Sequence, residues 1–119
     1  MRINFFLDFH CDNNFQETAR ILGPIISEHT IFCEKNGLRE EVRAALTEEI
    51  FGLTFVLIDQ GKYGEKYYYT LETYSSQNKD IPHHIEPALK KWLENLLLEA
   101  FKQKNFKNAS FGNSNPKNE

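Results

Sequence analysis

Aspartate, histidine and cysteine crowd into five consecutive positions near the start of the chain, Asp8-Phe9-His10-Cys11-Asp12. Residues 2–11 alternate, with Ile3, Phe5, Leu7, Phe9 and Cys11 on one side and Asn4, Phe6, Asp8 and His10 on the other. That is the period of a half-buried strand. In a strand Asp8, His10 and Asp12 share a face. Two carboxylates and an imidazole form a donor set for a hard-to-borderline metal ion. The same residues suit acid–base work, with Asp8 orienting His10. Both uses need further groups from elsewhere, and no second motif supplies them. Asp12 also reads as the cap of a following helix, so a polar sheet face ending in a cap outweighs the chemical reading.

The remaining reactive residues are bland in context. His83-His84 follows Pro82 and reads as the lead-in to a helix. His29 falls on the inner stripe of a helical pattern, where one hydrogen bond satisfies an imidazole. Cys11 and Cys33 have apolar neighbours and no Cys-x-x-Cys spacing, so both are expected reduced and mostly buried. Lys62 lies near Gly61 and Gly64 without the spacing of a phosphate-binding loop. There is no Gly-x-Ser-x-Gly elbow. No catalytic residue, metal or cofactor is expected.

Two features point to binding instead. Glu40, Glu41, Glu48 and Glu49 set a carboxylate ridge on and around a helix, beside Phe51. Five tyrosines lie between Tyr63 and Tyr74. Tyrosine joins a large apolar body to a hydrogen-bonding tip and is enriched at interfaces. The expected partner-binding set is therefore Glu40, Glu41, Glu48, Glu49, Asp8, His10, Tyr68, Glu72 and Tyr74.

The elements that must position these residues follow from periodicity. After the first strand, Asn13 and Gln16 have capping-box spacing. Phe15, Ala19, Leu22, Ile26, His29 and Cys33 then recur helically to about residue 35, with a kink or break at Gly23-Pro24. A strand over Thr30–Glu34 is the alternative. Leu38, Val42, Ala45, Leu46 and Ile50 predict a second helix over 38–51, ended by Gly52. Residues 53–58 read as a central strand. Gln60 to Glu65 is a turn, and Lys66–Ser76 is the returning arm of a hairpin. A last helix carries Ile85, Leu89, Trp92, Leu93, Leu96, Leu97, Ala100 and Phe101, with Pro87 in its first turn.

The predicted fold is α+β. It is a two-layer sandwich of a small, mostly antiparallel, three-stranded sheet with helices on one face, in the order β-α-α-β-β-α. Residues 1–103 form the domain, and 104–119 are expected to be a disordered tail because they are polar, Asn-rich and aperiodic. The uncovered sheet face is expected to present Asp8 and His10 with Tyr68, Thr70, Glu72 and Tyr74.

At 119 residues the chain is long enough for one core, with ten Phe and five Tyr to fill it. The start lacks the continuous apolar run of a signal peptide, and no window approaches the about 20 apolar residues of a membrane span. A cytoplasmic location is expected. The net charge of −3 is uneven: Lys102, Lys104, Lys107 and Lys117 against Glu119 leave the last 18 residues at +3 and residues 1–101 at −6. An acidic body repels nucleic acid and suits a basic protein. In general character this is similar to bacterial immunity proteins and antitoxins. The expected function is a protein-binding inhibitor, like an immunity protein or antitoxin, that neutralises a basic toxin such as a nuclease by direct binding. A generic adaptor or phage accessory protein is the alternative, and a small enzyme or ligand-binding domain built on Asp8 and His10 is the competing class. A homodimer through the open face or an unpaired edge strand is a third expectation.

Overall fold

A computed structural model describes residues 2–34, 43–50, 52–75, 86–103 and 105–112, with only the backbone of residues 2–4. The alternating start forms β1 (Arg2–Cys11), followed by α1 (Phe15–Ile26), β2 (Cys33–Glu34) and β3 (Ala44–Leu46). The hairpin β4 (Leu53–Tyr63) and β5 (Lys66–Ser75), α2 (Glu86–Phe101) and β6 (Ser110–Phe111) complete the order. The strands make one sheet in the order β2-β3-β4-β5-β1-β6, and every pairing is antiparallel. The expected three-stranded sheet in the order β-α-α-β-β-α is therefore corrected. Among the described residues the protein has six strands and two helices and is mostly sheet.

Each difference has a local cause. The helix expected over 38–51 gives way, in its described part, to β3 and an isolated bridge between Ile50 and Leu53. Ala44 and Ala45 are both buried, but in separate clusters on opposite sides of the sheet. Burial on both faces suits a strand between neighbours, and this tertiary pairing overrides the helical preference of alanine and leucine. Leu38 and Val42 lie outside the described residues. The first helix ends at Ile26 instead of running to about residue 35. Pro24 sits in its last turn, where few hydrogen bonds remain to be lost. Its cap is Asn14, not Asp12 or Asn13: the side chain accepts from Glu17 N–H at 2.9 Å, and Glu17 reaches back to the cap. The chain beyond turns through His29 at φ +66° to the short strand β2. His29 and Cys33 are consequently exposed, contrary to expectation.

The hairpin turn is tighter than expected. Tyr63 pairs with Lys66 across two residues, with Gly64 at φ +65° in the first position. Gln60 and Gly61 belong to β4, where the register shifts. The stretch expected to be a tail contributes to the fold as far as Gly112. Phe106 is buried, packing edge-on to Phe101 at 5.4 Å, and Ser110–Phe111 pair with β1. Two aromatic anchors outweigh the polar composition around them.

The main core lies between the sheet and both helices. It gathers Phe5, Leu7, Phe9 and Cys11 of β1, Phe55 and Leu57 of β4, and Tyr69 and Leu71 of β5. Phe15, Leu22 and Ile26 of α1 and Leu93, Leu97 and Ala100 of α2 close it.

Candidate functional site

Because the odd residues of β1 and β5 enter the core, the even ones project from the opposite face, which among the described residues is helix-free. Antiparallel register sets Phe6 opposite Glu72, Asp8 opposite Thr70 and His10 opposite Tyr68. Strand β4 continues these rows with Val56, Ile58 and Gly61. The face is not uniformly open. Ala44, Val56 and Ile58 form a buried cluster with Leu46 and Tyr74 packed on it. Thr70 and Glu72 are also buried, Glu72 to 7 % exposure. Exposure grows toward β1, where Phe6 is 52 % exposed.

Hydrogen bonds fix the polar groups. Thr70 Oγ1 donates to Asp8 Oδ1 at 2.6 Å and accepts from Gln60 Nε2 at 3.0 Å. The Tyr74 hydroxyl donates to Glu72 Oε1 at 2.9 Å. The His10 and Tyr68 rings lie 5.4 Å apart, and Tyr68 meets Tyr63 edge-on at 5.7 Å. On its outer side His10 Nε2 lies 3.1 Å from Ser110 Oγ of β6. Gly112 lies close enough that a Cβ there would stand 3.1 Å from the His10 ring. Burial, reinforced by the Lys66 ammonium and opposed by Asp12, lowers the His10 pKa below its ordinary value.

The Asp8–His10–Asp12 cluster does not assemble as a donor set. Asp12 pairs with Lys66 at 2.9 Å and accepts from Asn108 Nδ2 at 2.6 Å. Those two contacts, led by the Asn108 hydrogen bond, hold its pKa below the usual carboxylate value. Asp8 is engaged by Thr70. Among the described residues no group of three or more His, Cys, Asp or Glu side chains is placed to hold a metal ion. Ser110 and His10 resemble a nucleophile and its base, but His10 Nδ1 is buried without a hydrogen-bond partner. A base needs an orienting group at that nitrogen. The contact instead fastens β6 to β1.

The structure thus brings together Asp8, His10, Tyr68, Glu72 and Tyr74 of the expected binding set. It separates them from Glu48 and Glu49, which are exposed in the connection between β3 and β4. Glu40, Glu41, Phe51, His83 and His84 lie outside the described residues. The sequence reading missed Phe6 as a site residue, although an aromatic among Asn4, Asp8 and His10 on the polar side of an alternating strand is a visible signal. Ser110, Asn108 and Lys66 carried no such signal, since the β6 pairing brings the first two to β1 and the β5 register brings Lys66 beside Asp12. Among the described residues no helix is long and apolar enough to cross a membrane. Compared with protein-family models, curated proteins and solved structures, the chain matches none of them.

Proposed function

We propose that this chain is a small, acidic, protein-binding module of the cytoplasm that neutralises a basic partner by direct contact, as an immunity protein or antitoxin-like inhibitor does. The observation that carries the reading is the patch at the β1 side of the helix-free face. There an exposed Phe6 stands beside Asp8, His10 and Tyr68, with Glu72 beneath. Aromatic side chains supply anchors at such a surface, and carboxylates set orientation and speed of encounter. The −6 charge of residues 1–101 favours a basic protein over nucleic acid. Engagement of Asp8 by Thr70, and not by His10, favours binding over acid–base chemistry at this patch.

The test is capture of proteins from the native lysate on the tagged chain at low and high salt, repeated with Asp8→Asn and Tyr68→Ala. A stoichiometric basic protein, released by salt, inhibited by the wild type and bound at least tenfold more weakly by both variants, is the expected result. A partner bound equally by both variants, or no partner, would remove the reading.

A further inference from the structure

The outer edge of β1 is a second part of the same patch. Strand β1 spans ten residues, yet β6 pairs with it only at Phe9 and His10. Among the described residues, the edge from Arg2 to Leu7 has no partner strand. At the opposite end of the sheet the outermost strand, β2, has two residues. Among the described residues β1 therefore offers the longer outer edge.

The direction of the backbone groups follows from the bonds present. The Asp8 carbonyl accepts from Gly112 N–H at 3.2 Å, so Asp8 faces outward. Phe5 faces inward: its N–H and carbonyl both contact Thr73 Oγ1 of β5, at 3.3 and 3.1 Å. With the two-residue period of a strand, Phe6 shares the direction of Asp8 and presents its N–H and carbonyl outward. Natural sheets blunt open edges with charged side chains, lysine above all, with proline or with a β-bulge. Residues 3–8, Ile-Asn-Phe-Phe-Leu-Asp, contain no lysine or proline, and the register shift against β5 is confined to one end of the stretch, between Ile3 and Phe5.

We propose that this edge accepts an extended basic strand of the partner, which adds to the sheet alongside residues 2–7. The inference rests on the binding reading above and names its mode. Backbone hydrogen bonds to the Phe6 N–H and carbonyl, with the Asp8 N–H at the end of the open stretch, supply the affinity, as in other strand-addition complexes. Alternate side chains of the added strand then fall on the helix-free face beside Phe6 and Asp8. Lysine or arginine there meets the Asp8 carboxylate, and an apolar neighbour covers the exposed Phe6 ring. A second copy of this chain would bring another −6 body to the same edge, so charge selects against it.

The experiment uses the full chain and a defined probe, an end-blocked octapeptide alternating lysine and valine, followed by NMR and amide exchange. The Phe6 and Asp8 amides should shift and gain protection on titration. The same peptide with glutamate for lysine should bind at least tenfold more weakly. Phe6→Pro should also weaken binding at least tenfold, because it removes an outward N–H without touching the β5 ladder. Its thermal melt checks the fold, and amide mapping on the wild type does not depend on that variant. Shifts confined to Tyr68 and Tyr74, or undiminished binding by folded Phe6→Pro, would overturn the proposal. So would a dimer of the free protein with the Phe6 and Asp8 amides already protected. A captured basic protein that Phe6→Pro still binds fully would remove this mode and leave the function standing. Peptide bound at the edge with no protein captured would do the reverse.

Discussion

Asn13 closes its side-chain amide on the backbone that follows the last helix. Its Oδ1 accepts from Lys107 N–H at 2.9 Å, and its Nδ2 donates to the Asn105 carbonyl at 2.8 Å. Its own carbonyl accepts from the Tyr69 hydroxyl at 2.7 Å and from Thr18 Oγ1 at 3.3 Å. A residue only 1 % exposed thus joins the end of β1, the start of α1, strand β5 and the segment leading to β6. Buried amides with every group satisfied specify one arrangement of the chain around them.

Asn13→Ala leaves the Asn105 carbonyl and the Lys107 N–H without their side-chain partner. Leaving a buried polar group unsatisfied costs about 1–3 kcal/mol. The variant should lose about 2–3 kcal/mol in urea unfolding, and amides 105–112 should exchange faster than those of the β4–β5 hairpin. A loss below about 0.5 kcal/mol would show that water replaces the side chain.

Gly23→Ala sets two effects against each other. In a helix interior alanine is favoured over glycine by about 1 kcal/mol. At Gly23, however, an added Cβ would stand 2.3 Å from the Thr30 carbonyl oxygen, a backbone atom in the turn after α1. Forcing such a contact apart costs about 1–3 kcal/mol. The clash should win, giving net destabilisation of about 1 kcal/mol or more by thermal or urea unfolding. A stabilised variant would mean that the Ser27–Thr30 turn yields easily.

The two cysteines should separate by reactivity. Cys11 is fully buried, with its thiol near the Asn13 carbonyl and Thr18 Oγ1, and burial pushes its pKa up. Cys33 is exposed on the edge strand β2. Thiolate character and access govern reaction, so Cys33 should react promptly with a disulfide reagent in the native state. Cys11 should react only as the protein unfolds. Comparable native rates for both, measured with Cys33→Ser as the reference, would contradict the burial of Cys11.

The sequence made some of these positions legible and concealed others. The alternation from Ile3 to Cys11 appears as β1, and the tyrosine strand places Tyr69 in the core with Tyr68 and Tyr74 on the opposite face. Such patterns are readable because a strand assigns its side chains to faces by parity alone. Ala44 to Leu46 was misread because two small residues buried on opposite faces leave no period to detect. Likewise Ser110 and Phe111 gain their strand only from contact with β1, and polar neighbours hid the anchors Phe106 and Phe111. The candidate face was legible as Asp8, His10, Tyr68 and Tyr74. Its exposed aromatic, Phe6, and the latch from Ser110 to His10 depend on which neighbours the sheet supplies, information that no local stretch contains.

His10 should give the fold a pH dependence of defined sign. Tyr68 of β5, Ser110 of β6 and Gly112 just beyond it enclose the ring, while Lys66 and Asp12 are the charged groups acting on it. Burial and Lys66 lower its folded pKa below the ordinary 6.5, more than Asp12 raises it. Between the folded value and 6.5 the unfolded chain therefore holds more protons, and stability rises with pH in that window. The contribution is complete above about pH 6.5 and is lost as pH falls toward the folded value. Asp12, whose pKa is also depressed, acts in the same direction but only in the acidic carboxylate range. Urea midpoints measured from pH 7.5 downward should fall for the wild type from about pH 6.5, before the carboxylates titrate. His10→Gln should flatten that first step, so the difference between the two proteins narrows as pH drops, while Asp12→Asn should leave the step in place. An unchanged step in His10→Gln would assign it to another group, and a wild type that gains stability on acidification to pH 6 would reverse the sign argued here.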